Sequence, residues 1–135
     1  MRYFCPRCWS DFPADVASCP RCRLDIPAFW SGRDYTEKLI AVLDHPEPET
    51  PIRAAWVLGR MGDRRAVAGL IRLLETTQDV YAAREAVEAL ARIGTPLALQ
   101  AVRDAADAHP AEMVREAARA MLTAPPRCRT KVGND

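Results

Sequence analysis

The sequence carries almost no net charge. Lys plus Arg number 19 against 18 Asp plus Glu in 135 residues, a balance of +1, so no global field draws in nucleic acid or an anionic surface. No apolar run approaches the roughly 20 residues of a membrane span. The N-terminus has no basic-then-apolar signal pattern, because a cysteine arrives at position 5. Histidine is confined to His45 and His109, and no serine, cysteine or carboxylate constellation has the make-up of a catalytic centre. Cysteine vanishes between Cys22 and Cys128. The expectation is a non-enzymatic, cytoplasmic protein with a protein partner, for which a membrane is excluded and nucleic acid is disfavoured.

What the chain does have falls into a cysteine-rich head and a repetitive body. Residues 1–30 hold CPRC twice, placing Cys5, Cys8, Cys19 and Cys22 in two C-x-x-C pairs ten residues apart. A C-x-x-C turn aims two sulfurs at one centre, and a tetrahedral metal takes four such ligands at about 2.3 Å. Pro6 and Pro20 pre-set each turn. Phe4, Trp9 and Phe12 are among the few large apolar groups available to cover the site. Thirty residues bury too little apolar surface to fold unaided, so metal or disulfides must contribute. One structural Zn2+ on all four thiolates is the first reading, since an unsigned chain disfavours lasting disulfides. A redox C-x-x-C, which should open a helix after a strand, and a rubredoxin-like iron site are the others.

CPRCWSDFPADVASCPRC resembles the short bacterial zinc-ribbon modules of the form CPxCG…CPxCG. The resemblance implies zinc ligation by Cys5, Cys8, Cys19 and Cys22. Trp9 and Arg23 stand where those modules usually carry glycine, at positions whose φ a side chain tolerates poorly.

Behind the head the chain repeats itself. PIRAAWVLGRMGD at 51–63 aligns with AREAVEALARIGT at 83–95, and REAVEAL at 84–90 with REAARAM at 115–121. Between them LIAVLDHP (39–46), LIRLLETT (70–77) and VRDAADAH (102–109) form a second set. The unit is two helices in about 31 residues, repeated over 34–62, 63–94 and 95–123. Pro46 stops the first helix; Gly62 and Gly94 stand where left-handed caps are wanted; Asp63 and Pro96 suit helix starts. Ala54, Val57, Leu58 and Met61 make one apolar stripe, matched by Ala86, Ala89, Leu90 and Ile93.

RAAWVLGRMGDRRAV resembles HEAT repeats, in particular those of the bacterial phycobilin-lyase type. That implies a mainly α fold: over 31–123, a short α-solenoid of three HEAT-like hairpins with the zinc ribbon at its N-terminal end, first helices convex and second helices concave. Such solenoids mostly bind macromolecules. The first helix needs a cover, and Phe29 and Trp30 are expected to staple the head against Tyr35, Leu39 and Val42.

Arg53, Trp56 and Arg60 point away from the core stripe, and Trp56 aligns with Glu88 and Arg119. With Arg92 they make the candidate partner surface, since tryptophan among arginines has the composition of a binding hot spot. The opposing reading packs Trp56 beneath the head or a neighbouring loop. The arginines do not make a nucleic-acid track, because each repeat is within one charge of neutrality and Glu88 is spaced to pair with Arg84 and Arg92. The rival nucleic-acid contact would use Arg2, Arg7, Arg21, Arg23 and Trp9 of the head. A third possibility, a lyase- or chaperone-like helper of a cofactor protein, rests on kinship of the repeats alone. His45 and His109 read as helix-terminal histidines facing the dipole. The tail 124–135 is expected to be disordered, and its Cys128 a free thiol.

Overall fold

In the computed structural model, residues 2–124 are described; the expectations for Cys128 and for the tail beyond Ala124 fall outside them. The head begins with a two-residue hairpin in which β1 (Tyr3–Phe4) pairs antiparallel with β2 (Asp11–Phe12). A bridge joins Ser18 to Asp25, and Asp25 then caps α1 (Ile26–Ser31) by accepting the Ala28 N–H at 3.1 Å. Cys5, Phe12, Cys19 and Leu24 form the centre of this lobe, with Tyr3, Val16, Ile26 and Phe29 around them.

Three helical hairpins follow. The first is α2 (Tyr35–Ala41), prolonged by a 3-10 turn (Val42–Asp44), with α3 (Glu49–Met61). A 3-10 turn (Arg64–Ala66) opens the second, α4 (Val67–Thr76) with α5 (Val80–Ile93). The third is α6 (Pro96–Ala108) with α7 (Glu112–Thr123). The mainly α, three-hairpin solenoid expected from the repeat is therefore what the chain forms.

The first two hairpins end on the same chemistry. Gly62 and Gly94 end α3 and α5 at φ +66° and +70°, where a Cβ is strained, and their N–H groups bond to Leu58 and Leu90. Asp63 and Thr95 then start the next units by accepting the N–H of Arg65 and Ala98. Within each hairpin a second corner recurs at an interval of 32 residues. His45 Nδ1, Thr77 Oγ1 and His109 Nδ1 each accept the N–H two residues on, from Glu47, Asp79 and Ala111, all at 3.1 Å. Both histidines stand at the C-terminal caps of their helices, the helix-terminal place expected for them.

The second helices α3, α5 and α7 lie side by side as one layer. Ala54, Ala55, Leu58, Ala86, Val87, Ala89, Leu90, Val114 and Ala118 are buried there. Small residues let α3 and α5 approach closely: a Cβ on Gly59 would lie 2.7 Å from Ala89 Cα. Met61 departs from the expected stripe. As the last residue of α3, beside the Gly62 cap, it is 44% exposed, whereas its counterpart Ile93 is buried.

The starts of the first two hairpins are tied by ions. Arg65 reaches Asp34 at 2.7 Å, Asp63 at 2.9 Å and Glu37 at 3.6 Å. Its guanidinium, and the N–H bond it donates from the backbone, hold the Asp63 carboxyl down to about 2.

Two outcomes follow for stability. Gly59→Ala gains about 1 kcal/mol of helix propensity but drives a methyl into the α5 backbone, and overpacking of this kind costs about 1–3 kcal/mol; urea unfolding should show a net loss. Asp63→Ala should cost about 1 kcal/mol at neutral pH through the lost cap. The native carboxyl titrates below its ordinary value of 3.8, so its contribution is full above that value and is lost as pH falls through about 2. The stability gap between Asp63→Ala and wild type should therefore narrow on acidification. A gap that is constant from neutral pH to pH 2 would contradict this.

Candidate metal centre and partner surface

The head is built from one knuckle used twice, fourteen residues apart. In the first, Trp9 N–H bonds to Cys5 O (2.9 Å) and Cys5 N–H to Ser10 O (3.0 Å). In the second, Arg23 N–H bonds to Cys19 O and Cys19 N–H to Leu24 O, both at 2.9 Å. Closing the loop this tightly requires a left-handed residue after the second cysteine. Trp9 and Arg23 supply it at φ +55° and +61°, the two positions where the sequence departs from glycine. Both side chains are held in a conformation that costs on the order of 1 kcal/mol or more.

The two knuckles bring the four thiols to one point. All four Sγ atoms lie within 4.8 Å of one another, with Cys5–Cys22 at 3.5 Å and Cys8–Cys19 at 3.7 Å. A tetrahedral cation with sulfurs at about 2.3 Å sets its ligands about 3.8 Å apart, so the arrangement fits a metal. All four are free thiols. Cys5 and Cys19 are buried, and Cys8 and Cys22 are partly so.

The surroundings favour thiolate at part of the set only. Backbone N–H groups of Arg7 and Arg21 point at Cys5 and Cys19, each at 3.4 Å. Cys22 N–H adds a further bond to Cys19, also at 3.4 Å. Ser10 Oγ lies 3.0 Å from Cys8 Sγ and 3.5 Å from Cys19 Sγ. The Cys22 N–H, then Ser10, bring Cys19 down to about 5, and Ser10 also lowers Cys8. At Cys22 a bond from the Leu24 backbone favours the anion, but burial and the neighbouring sulfurs outweigh it and push the thiol up to about 11. Four sulfurs this close cannot all be anionic without a cation among them. Ser10 was not singled out by sequence reasoning; its only signal is its place directly after the first knuckle.

The head meets the body at His45. Its ring receives Phe4 edge-on at 4.6 Å and Trp9 at 5.1 Å between centroids. Burial there lowers the histidine's pKa, opposed by Glu47. The expected staple is thereby corrected. Phe29 packs into the head's own core, against Trp30 and beneath the Arg33 guanidinium 3.6 Å above its ring, while Tyr35 remains 60% exposed. The left-handed turn of the first knuckle carries Trp9 to His45 instead.

The candidate partner residues sit on the second-helix layer. Trp56 is 47% exposed, with the Arg60 guanidinium 5.0 Å from its ring centroid. Arg53 is paired with Glu49 at 3.1 Å. Glu88 pairs with Arg84 at 3.3 Å and not with Arg92. Among the described residues no carboxylate lies within ion-pair distance of Arg60, Arg92 or Arg119. Of the head arginines, Arg2 pairs with Asp11.

Residues 36–123 match the family model described as HEAT repeats. The chain belongs to the HEAT-repeat family. No curated protein matches it. HEAT repeats commonly mediate contacts between proteins, and among the described residues no helix is long and apolar enough to cross a membrane.

Because His45 joins the lobes, metal removal should be felt across the contact. Chelation should lower the melting temperature of the HEAT helices in the wild-type protein and leave it unmoved in His45→Ala, read by circular dichroism at a helical wavelength. Equal shifts in both proteins would rule out this contact as the link.

Proposed function

We propose that this protein is a non-enzymatic adaptor or accessory subunit of the cytoplasm, whose HEAT repeats hold another protein while a zinc ribbon caps their N-terminal end. The observation that carries the partner reading is Trp56. A half-exposed indole with Arg60 across its face, on the layer that also presents Arg92 and Arg119, is the kind of anchor that dominates binding energy at interfaces. Arg53 and Glu88 are tied up in pairs on their own helices, so they are assigned to the rim.

Zinc is the metal we assign to Cys5, Cys8, Cys19 and Cys22, since four thiolates in a closed tetrahedron suit a structural ion without redox chemistry. When bound, the ion supplies the folding free energy that a thirty-residue lobe cannot draw from its own core. The residues of the lobe then do the rest: the N–H groups of Arg7, Arg21 and Cys22 orient the sulfurs, and Phe4 and Trp9 transmit the fixed geometry to His45.

The test has two arms. Metal analysis of the purified protein should give one zinc per chain; stoichiometric iron would overturn the assignment. Affinity capture with wild type and with Trp56→Ala, in a form shown to fold normally, should recover a protein from the wild type that the variant loses. Retention of every partner by the variant removes Trp56 from the interface.

A further inference from the structure

The two seams between successive hairpins are built from aligned positions, yet they carry different side chains. There α4 lies against the preceding first helix: a Cβ on Gly69 would be 3.2 Å from Leu43 Cδ1 and 3.3 Å from Ile40 Cγ2. Above this contact Arg72 donates to Asp44 at 2.9 Å. One repeat later Ala101 stands for Gly69, Asp104 for Arg72 and Ala105 for Leu73. Glu75 of the facing helix, which follows buried Leu74 as Asp44 follows buried Leu43, stands for Asp44, the extra residue of the second unit falling after it. An ion pair has become two carboxylates, and a leucine has become an alanine.

The second seam is accordingly open. Between α4 and α6 lies a groove of ≈ 870 Å³, lined on the apolar side by Ile71, Leu74, Ala101 and Ala105. Leu97 at its lip is 62% exposed. Its size falls within the range of about 300–1,000 Å³ typical of ligand sites. Glu75, Asp79 and Asp104 face it, and no Lys or Arg is among its lining residues. Asp79 is occupied in capping α5 through the N–H groups of Tyr81 and Ala82. Among the described residues Asp104 accepts one bond, on Oδ1 from Gln100, and Glu75 has no bonded partner, so Glu75 and the second oxygen of Asp104 can meet a cation.

We propose that this groove docks a cationic amphipathic segment of a partner protein, which sets an Arg or Lys between Glu75 and Asp104 and its apolar side chains on the alanine floor. The first seam states the chemistry: where Arg72 is present the carboxylate is satisfied and α4 packs against the preceding helix. The inference rests on the adaptor reading and adds a second surface, on the helix layer opposite Trp56.

A synthetic leucine–lysine amphipathic peptide, titrated against the full chain by calorimetry at several salt concentrations, is the probe. It should bind wild type with an affinity that falls as salt rises, and a leucine–glutamate counterpart should not bind. Asp104→Arg rebuilds with Glu75 the pair of the first seam and should weaken peptide binding at least tenfold, with helical content and melting temperature kept. Asp104→Asn, a milder change, should weaken it several-fold. Equal binding of the two peptides, undiminished binding by both variants, or no binding to wild type at low salt would overturn the proposal. So would binding that appears only after deletion of residues 125–135, since the cations Arg127, Arg129 and Lys131 of the same chain would then be the occupant. Trp56→Ala should bind the peptide as wild type does, which separates failure here from failure of the interface around Trp56.

Discussion

The body depends on how closely its second helices can approach. At the α3–α5 crossing the contact is backbone to backbone, because Gly59 meets Ala89 with no room for a methyl. Around it the buried residues of these helices are largely alanines, with Leu58, Val87 and Leu90 as the bulk. Dispersion and apolar burial summed over such a contact outweigh any single polar bond in the body. When one layer is drawn this close, the other must spread or be filled by larger side chains. Leu43 and Ile40 reach across to Gly69 in the first seam; the alanines of α6 leave a groove in the second.

The head obeys a different constraint. Its core is four cysteines and a few apolar groups, and hydrophobic burial on that scale cannot offset the ordering of about thirty residues. It also carries two left-handed side chains, Trp9 and Arg23, each an added cost. The thiols converge without bonding to one another, and their surroundings pull Cys19 down while Cys22 goes up. A centre that favours anions but crowds them is one that a cation completes. Trp9 is then more than a strained residue. The same turn that demands φ +55° carries its ring to His45, so the cost of the conformation is coupled to the contact between the lobes.

Much of this was legible in the sequence because it is local. The spacing of Cys5, Cys8, Cys19 and Cys22 implied one centre, and the interval of 31–32 residues implied stacked hairpins. Gly62, Asp63, Gly94 and Pro96 mark the boundaries they occupy in the fold, because caps are decided within a turn of chain. What was not legible is long-range or relational. Nothing near position 45 announces that Phe4 and Trp9 will enclose its ring, and proximity in sequence wrongly favoured Phe29 and Trp30 for that role. The histidine corners were visible as His-Pro at 45 and 109, but their equivalence to Thr77 emerges only from the shared bond to the N–H two residues on. Trp56 was assigned to the outer face by periodicity alone, and there it stands.

The difference between the seams shows why repeats should be compared position by position. In a stack of similar units, contacts that recur maintain the array, and a position where the recurrence fails has been released from that duty. Arg72 binds Asp44 across the first seam; the aligned Asp104 and Glu75 are both carboxylates and both line the groove. Loss of stabilisation alone would be met by any neutral residue. Reversal of sign at one member of the pair does more, because it makes closure unfavourable while leaving two acceptors beside an apolar floor. The third hairpin can bear that cost, since α7 still packs on α5 with Val114 and Ala118 buried. The second-helix layer thus keeps the array together, and the first-helix layer is free to open where a partner can enter.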